Sequence, residues 1–176
     1  MSGTIDHSNL TLKLDSKAIK TFGLATDDDP VLTSLYSQLF ANGTGANQAS
    51  QQWHSAARSI GASSSETLIL TVAGGGSLVN GFGVALTFTA IKILLIHAAA
   101  ANTNNVLVGA AATHPFTGWV SPPTGYCTVQ PGGTLLVVSP AAAGYVVTAS
   151  SSDQLLITNS GAGTAVVYDI FLLGND

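Results

Sequence analysis

The 176-residue sequence predicts an all-β fold: an antiparallel β-sandwich or jelly roll, preceded by an extended N-terminal arm and belt. Three observations predict it. After residue 66, short apolar runs rich in Val, Ile, Leu and Thr recur with Gly, Pro, Asn and Ser between them, the spacing of a multi-stranded antiparallel fold. No segment in that part sustains helical periodicity. Only 8% of residues are charged, against about 25% in an ordinary soluble domain, so much of the surface is expected to be hidden by partners. Residues 1–65 are expected to form N-terminal strands, arm and belt, and residues 66–176 the sandwich.

The first strands read from alternation. Leu10, Leu12 and Leu14 alternate with Thr11 and Lys13, and residues 18–22 continue extended after a break at Ser16. Residues 23–30, with Gly23, three consecutive aspartates and Pro30, read as a loop. Over 31–40 the local signals favour a short helix: Asp29 in the cap position, Pro30 at the first turn, apolar residues at helical spacing and Asn42-Gly43 at the end. A strand is the alternative. Residues 42–65 carry no sustained period and one large side chain, Trp53, so they read as an extended belt on the domain or a neighbour.

From Glu66 onward the expected strands are 67–72, 84–88, 90–97, 106–109, 134–139, 145–148, 154–158 and 165–173. Pro131-Gly132 suits the middle of a type II turn, because glycine takes the positive φ that turn needs. Asn159 to Gly163 reads as a hairpin connection, and the stretch after Ala98 as a loop.

Chemistry finds little to work with. After Glu66 the only charged residues are Lys92, Asp153, Asp169 and Asp176, and the net charge is −4. Without a basic patch, neither nucleic acid nor an anionic membrane is an expected partner. No cofactor loop is expected: Gly81-Phe82-Gly83 leads into strand material rather than a helix, and Gly74-Gly75-Gly76 lacks the Lys that follows in a phosphate-binding loop. His7, His54, His97 and His114 have no metal-ligand spacing, and Cys127 is alone, so neither a metal site nor a disulfide is expected. Asp153 and Asp169 are the only carboxylates between 67 and 175, which argues against acid–base hydrolysis. No catalytic residue is assigned. The opening residues lack a basic and apolar leader, and the apolar run 90–101 contains Lys92 and His97 and is too short to span a bilayer. Synthesis in the cytoplasm is expected.

Several blocks add a resemblance. GTGANQA (43–49), TLILT (67–71), the run from Phe82 to Gly109, QPGGTLLVVSP (130–140), GYVVTA (144–149) and the run from Asp153 to Gly174 resemble a family of small proteins encoded in phage and prophage structural-gene regions. The blocks are in order and span roughly three quarters of the chain. The resemblance implies a virion location and a role as a capsid decoration, or cement, protein. Its implied partners are the major capsid protein and further copies of itself, most simply as a homotrimer. It also implies an extended conformation over 31–40. Relatives tend to carry an acidic and a basic residue after the aromatic; here the stretch from Trp53 to Arg58 keeps the base and has no acid.

Two sets of interface residues follow. Leu10, Leu12, Leu14, Phe22, Trp53 and Arg58 are candidate anchors, within a region 1–66 expected to contact the capsid or a neighbouring copy. If the protein is instead a head-fibre or tail adhesin for host glycans, Trp119 and Tyr126 are the candidate contacts, as an exposed aromatic platform.

Overall fold

The computed structural model describes residues 5–176 except 17–18, 23–24, 29–31, 77 and 122–123, and no side chain between 14 and 35. Among the described residues the fold is all-β and has no helix.

A ribbon comes first. β1 (His7–Ser16) and β4 (Leu32–Asn42) pair antiparallel over ten consecutive positions, from His7 opposite Ala41 to Ser16 opposite Leu32. The short pair β2 (Ile19–Phe22) and β3 (Ala25–Asp28) lies between them in sequence, and β5 (Gln48–Ala49) adds to β4 in parallel. Two local expectations are corrected here. The helix expected over 31–40 is strand β4, because β1 supplies a non-local partner for its backbone and the apolar residues serve two faces: Phe40 is buried on one while Leu39 is exposed on the other. The loop expected over 23–30 contains β3, whose four residues find partners in β2.

Two larger antiparallel sheets follow. One has the order β10-β9-β13-β7, from β10 (Tyr126–Val129), β9 (Val106–Gly109), β13 (Gln154–Asn159) and β7 (Ser65–Ile69). The other has the order β11-β8-β14-β6, from β11 (Thr134–Val138), β8 (Ala90–Ala98), β14 (Val166–Asn175) and β6 (Gln51–Ile60), with β12 (Tyr145–Val146) also on β8. The irregular belt expected over 42–65 is corrected in its second half. Residues 51–60 are β6, paired with β14 from Gln51 opposite Gly174 to Ile60 opposite Val166. Its alternation is muted because Ser55, Ala56 and Ala57 carry little apolar bulk, yet Trp53 and Ile60 are buried.

The strand expected over 84–88 does not form a ladder. Asn80 holds that segment in a tight turn: its Oδ1 accepts hydrogen bonds from the amides of Phe82 and Val84, each at 3.0 Å. What remains is the isolated bridge of Val79 with Ala85 and single backbone bonds from Leu86 to Leu78 and from Phe88 to Leu70. The connection at 159–163 is not a hairpin either, since β13 and β14 lie in different sheets. The turn at Pro131-Gly132 forms as expected, with Gly132 at φ +74° and the Gly133 amide donating to the Gln130 carbonyl at 2.8 Å. Strand β10 had no local signal strong enough to predict it.

One core collects side chains from both larger sheets: Leu68, Val108, Leu155 and Ile157 from the first, and Leu94, Ile96, Ile170 and Leu172 from the second. A second cluster lies on the opposite face of β8 and β14. There Phe40 of β4 and Ala49 of β5 cover Ile93 and Leu173, with Leu10, Leu95, Leu136, Val138 and Phe171 partly buried around them.

Candidate functional site

A cluster of charged and aromatic side chains forms around Arg58 on β6. Arg58 leaves β6 toward the other large sheet and meets Glu66 at the start of β7. Its Nε donates to Glu66 Oε1 and to the Tyr168 hydroxyl, each at 3.2 Å, and its terminal nitrogen donates to Glu66 Oε2. Tyr168, buried on β14, donates its hydroxyl to the same carboxylate. The guanidinium lies 5.7 Å from the centre of the Trp53 ring. Three strands from two sheets are thereby tied at one corner.

The acidic partner of Arg58 is thus Glu66, eight residues beyond it. Sequence reasoning missed it by searching only the adjacent positions. Glu66 is the only carboxylate between Asp29 and Asp153, which could have marked it as the partner.

Electrostatics favour the closed arrangement. Burial pushes the Glu66 carboxyl up, but hydrogen bonds from Arg58 and Tyr168, together with the Arg58 charge, outweigh this and hold it below the ordinary carboxylate value. The Arg58 guanidinium is raised, chiefly by its hydrogen bond to Glu66. Burial, then the bond to Glu66, pushes the Tyr168 phenol far up. Each group satisfies another, so the cluster braces the fold and leaves no acid or base free for proton transfer.

Trp53 separates two hollows. On one side, Arg58, Glu66, Leu78 and Gly76 border a space of about 350 Å³. On the other, a groove of about 600 Å³ runs along Ser50 to His54, faced by Ile5 and His7 and by Phe82. β14 occupies one edge of β6; among the described residues no strand pairs with the other. Further along, β6 bulges, with Ala56 and Ala57 opposite Asp169. Ala57 has φ +52°, and its amide donates to Asp169 Oδ1 at 2.7 Å. Asp169 therefore stabilises the bulge.

Two other buried polar groups are also structural. Lys92 is the extra residue of a bulge in β8, between Ile91 and Ile93 opposite Gly174 and Leu173. It is fully buried and donates to the carbonyls of Ala141 and Ala142, at 2.6 Å for the second; burial lowers its pKa. Asp153, also buried, accepts from the Thr71 hydroxyl at 2.7 Å and the Ser150 amide at 3.0 Å. Among the described residues no group of three or more His, Cys, Asp or Glu could hold a metal ion.

The candidate anchors separate in space. Trp53 and Arg58 come together at the corner cluster. Leu10 is half-buried on the outer cluster, whereas Leu12 is 56% exposed. The side chains of Leu14 and Phe22 lie outside the described residues. Tyr126 is 57% exposed. Trp119 packs against the main core and donates its indole N–H to the Phe116 carbonyl at 3.0 Å. The residues that sequence reasoning missed are Phe82, exposed on the Asn80 turn, and Tyr36 and Leu39, exposed on β4. Phe82 sits between two glycines and the β4 pair sits in the stretch with helical spacing, so neither announced a surface role.

No family model matches the chain, and no curated protein and no solved structure is significantly similar to it.

Proposed function

We propose that the chain is a structural protein of a tailed-phage virion, a capsid decoration protein that binds the shell and copies of itself as a jelly-roll homotrimer. The jelly-roll arrangement is supported by the strand order. Eight strands fall in two four-stranded rows, β6-β14-β8-β11 and β7-β13-β9-β10, so that successive strands pass from one sheet to the other, except at the β9-β10 pair, as in two interlocked Greek keys. The extended N-terminal arm of the proposal corresponds to the ribbon of β1 and β4.

The observation that carries the functional proposal is the outer face of β8, β11 and β14. An antiparallel sheet turned to water alternates apolar and polar residues. Here the outer positions are Ile93, Leu95, Leu136, Val138, Phe171 and Leu173, and the ribbon covers them incompletely. The ribbon itself exposes Leu12, Tyr36 and Leu39. Leu12 and Tyr36 are directly opposite each other on the face that also carries Leu10 and Phe40, whereas Leu39 is on the other face; exposed apolar residues grouped in this way are what obligate interfaces bury. The corner cluster has the closed hydrogen bonding of a brace. The glycan alternative is weakened because Trp119 is packed and internally bonded, leaving Tyr126 without its proposed partner.

The test is to add labelled full-length chain to phage capsids that lack it and image the particles. Saturable density at symmetry-related sites is expected, with Leu12→Asp/Leu39→Asp reducing occupancy several-fold. Unlabelled particles at saturating protein, or absence of the chain from purified virions, would overturn the proposal.

A further inference from the structure

A strand with an open edge is a template for another strand, and protected edges carry charges, prolines or bulges. The free edge of β6 is divided in this respect. Its second half is bulged at Ala56 and Ala57 and fixed by Asp169. Its first half, from Gln51 to His54, has no Lys, Arg, Asp or Glu of its own and opens, together with Ser50, which is bonded to the Asp176 carboxylate, on the groove of about 600 Å³. The groove walls are apolar at Ile5, Val79, Phe82, Leu86 and Trp53, and Asp6, at the mouth beside Ile5 and His7, is the one carboxylate that lines it. An occupant that pairs along Ser50 to His54 is therefore extended, about five residues long, free of acidic side chains and apolar where it meets these walls.

The chain itself contains such a segment on another open edge. β1 pairs only with β4 among the described residues. Its residues 8–12, Ser-Asn-Leu-Thr-Leu, carry no charge; Leu10 packs on the outer cluster of its own chain, and Leu12, 56% exposed, is the apolar side chain left for a neighbour. Donor and acceptor lie at different places on one surface. Their contact is then heterologous, and a suitable rotation closes it into a ring.

We propose that β1 of one copy adds as a strand to the β6 edge at Ser50 to His54 of the next copy, with Phe82 closing over it. This specifies the self-association included in the proposed function, but it concerns the free protein and is tested without capsids.

Full-length chains carrying Cys127→Ala and one new cysteine, Leu12→Cys in one batch and His54→Cys in the other, are mixed and treated with a short bifunctional maleimide. Both positions are exposed in the single chain. Crosslinked dimers are expected several-fold more often in the mixture than in either batch alone. Hydrogen exchange gives a readout independent of register: amides of residues 51–54 exchange several-fold faster in Leu12→Asp and in Phe82→Asp than in the wild-type chain, while those of 170–173 keep their protection. Equal crosslinking in all three samples overturns the proposal, as does wild-type exchange at 51–54 matching that of Leu12→Asp. A failure here, with particles still decorated, would discard strand addition alone and leave attachment to the shell standing.

Discussion

The two faces of β14 carry similar apolar residues and meet different surroundings. On the inner face, Val166, Tyr168, Ile170 and Leu172 are all buried in the core that collects side chains of both large sheets. On the outer face, Leu173 is fully buried under Phe40 and Ala49, whereas Phe171 is only half-buried and Asp169 is exposed. The inner face is completed by the chain's own second sheet. The outer face is completed by a ribbon whose face bearing Leu10 and Phe40 also carries Leu12 and Tyr36, which remain exposed. The difference separates side chains that hold this fold together from side chains whose full burial requires a neighbour.

That distinction can be broken by substitution. Leu172→Ala should cost about 4 kcal/mol, and Phe40→Ala about 3 kcal/mol, in urea unfolding followed by fluorescence, since both are fully buried in the single chain. A negligible loss at Phe40 would mean that the ribbon does not cover the sheet. The corner cluster comes next. Glu66→Gln should cost about 2 kcal/mol near neutral pH, because Arg58 loses its charged partner at a site about a quarter exposed. The sign of the pH effect follows from the lowered Glu66 pKa. Its contribution is fully present above about pH 4.5 and is lost as pH falls through the depressed folded-state value. Wild-type stability should therefore fall on acidification more steeply than that of Glu66→Gln. Identical acid limbs in chemical unfolding would remove Glu66 from the account of stability. The smallest effect belongs to Phe171→Ala, about 1 kcal/mol in the dissociated chain. Its larger consequence should be weaker assembly, read as a several-fold rise in the dissociation constant.

The strands after residue 66 were largely legible because alternation and turn chemistry agree there. Residues 106–109 and 134–139 are short apolar runs bounded by Gly, Pro or Asn, 90–97 is a longer apolar run, and each became a strand. Residues 84–88 had the composition of a strand but met only isolated partners at Leu70 and Leu78. β4 and β6 were hidden for opposite reasons: one has helical spacing that a distant partner overrides, the other has too little apolar bulk to show its period. The connection at 159–163 was misassigned because a turn signal does not say which sheet the next strand joins. At the corner cluster Trp53 and Arg58 were legible as an unusual aromatic and an isolated base. Glu66 and Tyr168 were not, because the hydrogen bonds that join them cross between strands far apart in sequence.

If the chain adheres through apolar packing, its assembly should be indifferent to ionic strength, since screening acts on exposed charges and few are present to act on. Sedimentation of the full-length protein across a wide concentration range, at low and at molar salt, tests this most directly. The expected result is a closed oligomer of one defined mass that persists, or tightens, in molar salt. A monomer at every concentration, or an oligomer that dissociates as salt rises, would contradict it.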